Sequence, residues 1–253
     1  MVDDYGIKVV RTLWGNSEHL KNEIYTASRF ENEVVMVYGK ENYNFLADLG
    51  YKCILVSDDD LTSVESYDYL YYKIHSLVEA SKYYEKILFL DWDVKIVKPT
   101  DQFFWDDLII RKFSFPTYGW NSNFEDLLEE SDDEQKVWLQ SFIDLFPKYS
   151  WDFNGGVVIP NACFIYLSNR QLASKLLDIC NKHKLKGLID ELSLFILANC
   201  TFDEFIRDFE PSTIFASGDN SDTVLHGRPV TLQKPINDYI RQIVDKDIYL
   251  THH

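Results

Sequence analysis

The chain has 253 residues, 46% of them hydrophobic and 26% charged, the composition of an ordinary soluble globular protein with material for one large α/β domain. Its net charge of −16 repels nucleic-acid backbones and anionic lipid, so such partners would need a local basic patch. No apolar run is long enough to span a bilayer, and the acidic start Met1-Val2-Asp3-Asp4 is unlike a signal peptide, so a cytoplasmic protein is expected.

In chain order, Ile7 to Leu13 is predicted as a first strand, followed by Trp14-Gly15-Asn16 and a helix capped by Ser17 that runs to about Phe30. Glu33 to Tyr38 is a second strand and Glu41 to Leu49 a helix stopped by Gly50. Tyr51 to Val56 is a third strand, and Ser66 to Tyr84 a helix with Leu70, Ile74, Leu77 and Val78 at helical spacing. Strands alternating with helices through short loops predict a mostly parallel central sheet flanked by helices.

Beyond Pro99 the pattern weakens. Gln102 to Leu108 is a short helix, Arg111 to Pro116 a strand, and Lys136 to Phe146 an amphipathic helix. The acidic run Glu125 to Glu134 lacks apolar periodicity and is expected to be a solvated face. Gly155-Gly156 beside the β-branched run Val157-Val158-Ile159 implies a tight bend or a close approach of ligand to backbone. Helices follow over Gln171 to His183 and Ile189 to Ala198. From Thr201 the pattern is irregular until a closing helix over Pro235 to Val244. There is no linker, repeat or low-complexity segment, so residues 1–253 are expected to form a single domain. Cys53, Cys163, Cys180 and Cys200 show no C-x-x-C spacing and are expected as reduced core residues.

The stretch Lys86-Ile-Leu-Phe-Leu-Asp-Trp-Asp-Val-Lys-Ile-Val97 carries the chemistry. Ile87 to Leu90 is a buried-strand signature, and Asp91 and Asp93 follow it directly, with Trp92 between them. In continued extended geometry both carboxylates point the same way. Adjacent carboxylates repel unless a cation lies between them, and hard oxygen donors select Mg²⁺ or Mn²⁺. A solvated turn with two surface aspartates is the plain alternative. Ligands of open α/β sheets gather at the carboxyl ends of strands, which favours the metal reading. No G-x-G-x-x-G or G-x-x-x-x-G-K-[ST] is present, so neither a dinucleotide Rossmann enzyme nor a P-loop enzyme is supported.

A strand ending in Leu-Asp-x-Asp, then a hydrophobic continuation and Lys98-Pro99, resembles the metal site of GT-A-fold glycosyltransferases. The likeness is to the glycogenin-like and lipopolysaccharide-galactosyltransferase-like families. It implies a GT-A, Rossmann-like α/β fold, a UDP-linked nucleotide-sugar donor, and Mn²⁺ or Mg²⁺ clamping the donor diphosphate. By the same resemblance Arg11-Thr12-Leu13 corresponds to the segment that cradles base and ribose. Lys73 corresponds to a basic residue that reaches the donor, although a surface lysine on an amphipathic helix reads the same. Trp92 lies within the motif itself.

Phe153-Asn154-Gly155-Gly156-Val157 is similar to the family's Phe-Asn-x-Gly-Val, whose Asn and glycine backbone face the sugars. Asp190-Glu191 is similar to its Asp-Gln pair. His226-Gly227 and Lys234-Pro235 resemble its His-x-x-Gly-x-x-Lys-Pro, with His226 as third metal ligand and Lys234 on the diphosphate. Here Gly227 follows the histidine directly and Lys234 comes late, a departure from the family spacing. An inverting route would need a carboxylate base, for which Asp152 and Asp190 are the candidates. The acceptor is expected to be a saccharide or glycan. The alternatives are a modified base in DNA, which the charge opposes, and a nucleotidyltransferase, which would want a glycine-rich loop near the first strand.

Overall fold

The computed structural model describes residues 5–57, 70–96, 102–109, 113–114, 117–121, 133, 136, 140, 157–160, 162–183, 189–199, 215–217, 222–225, 228–229 and 250–252. Strand β1 (Ile7–Leu13) is followed by a 3₁₀ turn (Ser17–Leu20) and helix α1 (Lys21–Thr26). Then come β2 (Glu33–Tyr38), α2 (Lys40–Asp48), β3 (Cys53–Val56) and α3 (Tyr71–Ser81). The central strand β4 (Lys86–Leu90) gives way to β5 (Val94–Ile96), α4 (Gln102–Ile109), β6 (Phe113–Ser114) and β7 (Thr117–Asn121). Next are β8 (Val157–Pro160), β9 (Phe164–Leu167), α5 (Arg170–His183) and α6 (Ile189–Asn199). The chain closes with β10 (Phe215–Ser217), β11 (Asp222–Leu225), β12 (Arg228–Pro229) and β13 (Leu250–His252).

The main sheet has the order β3-β2-β1-β4-β9-β6. The first four strands are parallel, and β9 runs antiparallel to both β4 and β6. This is the mostly parallel α/β sheet expected from the strand–helix rhythm. Both faces of a parallel sheet are covered, which is why β2 and β4 are apolar without alternation. On one face Val10, Met36, Ile87 and Phe89 pack with Ile74 and Leu77 of α3, Leu172 and Leu176 of α5, and Leu194 of α6. On the other, Val9, Leu88 and Leu90 pack with Phe104, Trp105 and Leu108 of α4. Leu13, Val35, Val37 and Trp92 form a further cluster with Ile24 and Leu46. Residues 189–197 of α6 are buried on every side, including Asp190, Glu191 and Ser193 near its start, ahead of the apolar run Leu194–Ala198.

Several expectations shift. Asn16, not Ser17, caps the first helical turn, accepting from the Glu18 amide at 3.0 Å. The extended geometry does not continue through Asp93: residues 91–94 form a turn, with the Val94 amide donating to the Asp91 carbonyl at 3.3 Å. Of the strand placed at Arg111 to Pro116, Phe113–Ser114 are described and form β6, with β7 beyond. The apolar run Phe164–Leu167 is a strand that the sequence reading passed over, and it seals the open flank of β4.

A second sheet, ordered β12-β11-β10-β13-β5, is also new. Its strand β13 pairs antiparallel with β5, His252 opposite Val94, so the end of the chain lies against the segment that leaves Asp93. The Pro235 to Val244 helix lies outside the described residues. Of the Glu125 to Glu134 run only Asp133 is described, and it is fully exposed. Cys163 and Cys180 are buried and Cys53 half-buried, all three as free thiols.

In the second sheet β13 has a neighbour on each side, so every amide of that strand faces a partner. Thr251→Pro removes one and should cost about 1–3 kcal/mol. Hydrogen exchange should show residues 94–96 losing protection while β1 keeps its own. Unchanged protection in β5 would mean that the pairing is wrong.

Candidate active site

The site is built at the carboxyl end of β4. Asp91, directly after the strand, is tied by its main chain on two sides. Its amide donates to the Cys163 carbonyl at 2.9 Å, and its carbonyl accepts from Arg11 Nη1. The turn that follows leaves Asp91 and Asp93 half-buried and turns Trp92 into the core. The Trp92 indole N–H donates to the Thr12 carbonyl at 2.7 Å, and its ring meets Tyr51 edge-on at 5.5 Å.

Lys73 comes from α3. A lysine one turn into an amphipathic helix would ordinarily be solvated, but Lys73 is only 5% exposed. Its ammonium lies 2.9 Å from Asp91 Oδ2 and 2.8 Å from Asp190 Oδ2, and it donates to the Ala162 carbonyl at 3.3 Å. Three donors thus meet three acceptors. Burial opposes the charge, but the two carboxylates outweigh it and raise the lysine's pKa. Asp190 is held as the second residue of α6: its Oδ1 accepts from the Glu191 amide at 2.9 Å. The bridge therefore joins α3, the end of β4 and the start of α6.

At Asp91 burial raises the carboxyl's pKa, Lys73 pulls it back, and the charges of Asp93 and Asp190 push it up again. A carboxylate so placed gains from any cation that reaches its exposed side. Asp91 and Asp93 are donors of the hard type that Mg²⁺ and Mn²⁺ take, and such ions are commonly held by one or two carboxylates with the rest of the shell from phosphates and water. The residues present fit that arrangement. Among the described residues no group of three or more His, Cys, Asp or Glu side chains is arranged to hold a metal alone.

The other expected site residues divide into two sets. Arg11 and Leu13 are fully buried, Thr12 is 3% exposed, and Trp92 is 6% exposed. They support the site from beneath and line no open surface. Glu191 is also buried. Asp152, Asn154, Gly155, Gly156, His226, Gly227 and Lys234 lie outside the described residues. The open surface begins just past β1. A groove of about 410 Å³ at the carboxyl ends of β1 and β2 is lined by Gly15, Tyr38, Gly39, Lys40, Asn42 and Tyr72, among others. Asn42 Nδ2 shapes it, donating to the Gly15 and Tyr38 carbonyls at 3.0 and 2.9 Å. Tyr72 stacks on Trp14 at 5.9 Å and meets Tyr38 edge-on at 4.8 Å. Gly15 and Gly39 both have positive φ, +62° and +84°, which glycine alone adopts without strain. Trp14-Gly15 was visible in the sequence as a strand end; Tyr38 and Tyr72 carried no signal.

No protein-family model and no curated protein matches the chain by sequence. Solved structures do match by shape. The bifunctional glycosyltransferase WbbM, in its apo form, aligns at a TM-score of 0.55 and 12% identity over 98% of this chain, which spans 45% of that one. Mouse xyloside xylosyltransferase 1, also apo, aligns at 0.48 and 13% identity over 98% of this chain and 97% of that one. Galactosyltransferase LgtC, in complex with donor and acceptor sugar analogs, aligns at 0.48 and 12% identity, over 97% and 86%. At such identities the likeness concerns the fold alone.

The lysine bridge yields a stability prediction. Lys73→Met leaves the buried Asp190 and the half-buried Asp91 carboxylates without their shared cation and should cost about 3–5 kcal/mol in urea unfolding. Adding Asp190→Asn should recover part of that loss, since the two sites are coupled. Because the lysine's pKa is raised in the folded state, its contribution is complete below the ordinary lysine range and is lost only as pH rises through the raised value. The wild-type bridge is therefore constant across neutral pH, whereas in Lys73→Met the Asp91 carboxyl loses the cation that holds its pKa down, so the gap should narrow as pH falls and that carboxyl takes up a proton. A gap below about 1 kcal/mol at neutral pH and above would contradict the bridge. The main-sheet order and the helices on its two faces give this chain the α/β fold of GT-A glycosyltransferases.

Proposed function

We propose that this protein transfers a glycosyl group from a nucleotide sugar, most simply a UDP-sugar, to a hydroxyl of a saccharide or glycan acceptor. One observation carries the reading. In this fold a carboxylate pair leaves the buried central strand half-exposed, and one member is already fixed by a buried lysine. Asp91 and Asp93 would hold Mn²⁺ or Mg²⁺ together with the donor diphosphate. When bound, the ion supplies Lewis-acid stabilisation of the leaving diphosphate.

The chain's own residues have separable tasks. Lys73 orients Asp91 and lowers the local negative charge that an incoming diphosphate meets. The groove beside Tyr38 and Tyr72 suits a nucleoside, whose flat base can stack on an aromatic wall. Asp190 is nearly fully buried and paired with an ammonium, a poor position from which to take a proton. It therefore positions Lys73. Should the route be inverting, Asp152 is the better base. Asn154 with the backbone of Gly155 and Gly156 is proposed for hydroxyl recognition, and His226 for a third metal ligand. Gly227 and Lys234 would follow His226 to the diphosphate side. The acidic charge of the chain favours a saccharide acceptor over DNA.

Asp93→Asn removes one ligand charge without loss of volume. Turnover on a panel of UDP- and GDP-sugars with Mn²⁺ should fall by more than about 100-fold, at an unchanged circular dichroism spectrum. Wild-type turnover should vanish in EDTA and return with Mn²⁺. Full activity of the variant, or of wild type in EDTA, would overturn the metal reading.

A further inference from the structure

We infer that Arg11 is a positioning residue for the Asp91–Asp93 turn, acting through the main chain and contacting no substrate. Strand periodicity puts Arg11 on the same face of β1 as Val9 and Leu13, in the body of the protein. A guanidinium is almost never fully buried unless it is fully engaged. Arg11 is 0% exposed; both terminal nitrogens of its fork are hydrogen-bonded, while Nε makes no hydrogen bond and faces Glu33 at ion-pair distance only. Nη1 donates to the Asp91 carbonyl, Nη2 donates to the Ser28 carbonyl at 3.0 Å, and Nε lies 3.6 Å from Glu33 Oε1. Its plane lies 5.2 Å from the Trp92 ring, so it touches the middle of the turn as well as its start.

Ser28 extends the grip to the far end. Its Oγ accepts from the Ile96 amide at 2.9 Å, while its carbonyl is held by Arg11. One buried cation thus fixes residue 91 directly, residue 92 by its ring, and residue 96 through Ser28. Burying this arginine and Glu33 costs several kcal/mol of desolvation, and replacing such a pair by apolar side chains is often neutral or stabilising. Thermal stability alone is a poor account of it. What the arginine provides, and an apolar residue does not, is directed donors on two carbonyls separated in sequence by 63 positions. The side chain of Asp91 stays available to Lys73 and to a ligand because Arg11 takes only its carbonyl oxygen. A lysine keeps the charge but has no fork, so it cannot serve both carbonyls in the same plane.

The metal part of this inference rests on the function proposed above; the positional part does not. The test compares wild type, Arg11→Lys and Arg11→Met at a temperature well below unfolding of each. Hydrogen exchange should lose protection at residues 92–96, with β2 and α5 unchanged. Mn²⁺ affinity, measured without donor by electron paramagnetic resonance, should weaken about 10-fold or more in both variants. If neither variant folds, Glu33→Gln, which loosens the guanidinium from its far side, is read in the same two ways. Unchanged exchange in the turn, or a uniform loss of protection across the whole sheet, would overturn the positioning role. If wild-type protein binds no Mn²⁺, the metal reading fails and the exchange measurement alone decides on Arg11. Normal Mn²⁺ affinity despite a loosened turn would confine Arg11 to structure and overturn its role toward the ion.

Discussion

Everything around the candidate site depends on one buried ammonium. Lys73 lies between Asp91 and Asp190, with distances of 2.9 and 2.8 Å, and it is nearly inaccessible to water. A buried charge is stable only where its partners are fixed, so the three elements that carry these residues are placed relative to one another by the same contact. Helix α6 cannot slide along the sheet without withdrawing Asp190. The end of β4 cannot move without withdrawing Asp91. Packing of α3, α5 and α6 on the sheet supplies the bulk of the burial, but apolar contacts tolerate small displacements that an ion pair does not.

The two aspartates of the motif are consequently unequal. Asp91 is restrained at its amide by the Cys163 carbonyl, at its carbonyl by Arg11, and at one carboxylate oxygen by Lys73. Asp93 lies within the turn, just before β5 is captured by β13. Asp91 is thus the fixed member, and Asp93 has its position set by the turn and by strand pairing. The strand β9 has a part in this that its sequence does not advertise. Buried on all four residues, it closes the flank of β4, and Cys163, which precedes it, offers the carbonyl that holds Asp91.

The parallel half of the sheet was legible because β1, β2, β3 and β4 are apolar runs separated by helices of regular period. Gly50 was legible as a helix stop for the same local reason, its positive φ. The Asp pair stood out because carboxylates seldom follow a buried strand without a task. Three things were not legible. Lys73 has the residue type of a surface position, and although it stands three after Leu70 and four before Leu77 on the apolar face, only the folding of Asp91 and Asp190 around it gives an interior lysine its partners. Arg11, inside a strand of Val and Leu, corresponds by family resemblance to a donor-facing segment at the end of the first strand, whereas its partners are carbonyls at 28 and 91 and a carboxylate at 33. The second sheet is made of strands of two to four residues, too short for a periodicity to show, and joins positions 94–96 to 250–252.

Charge placement connects these observations. The chain is strongly acidic, yet two of its cations are buried directly beneath the acidic turn, Arg11 on the main-chain side and Lys73 on the side-chain side. Around them stand Asp91, Asp93, Asp190 and Glu33, with Glu191 buried beside Asp190, so the carboxylates outnumber the cations. In a low-dielectric interior such an excess is costly unless something positive approaches from the open side. A divalent ion held by Asp91 and Asp93, as proposed, would balance it. The acidity of the whole protein would otherwise repel a diphosphate; under the proposed function, the same acidity concentrated beneath a metal would hold the ion, and through it the diphosphate, at this end of the sheet.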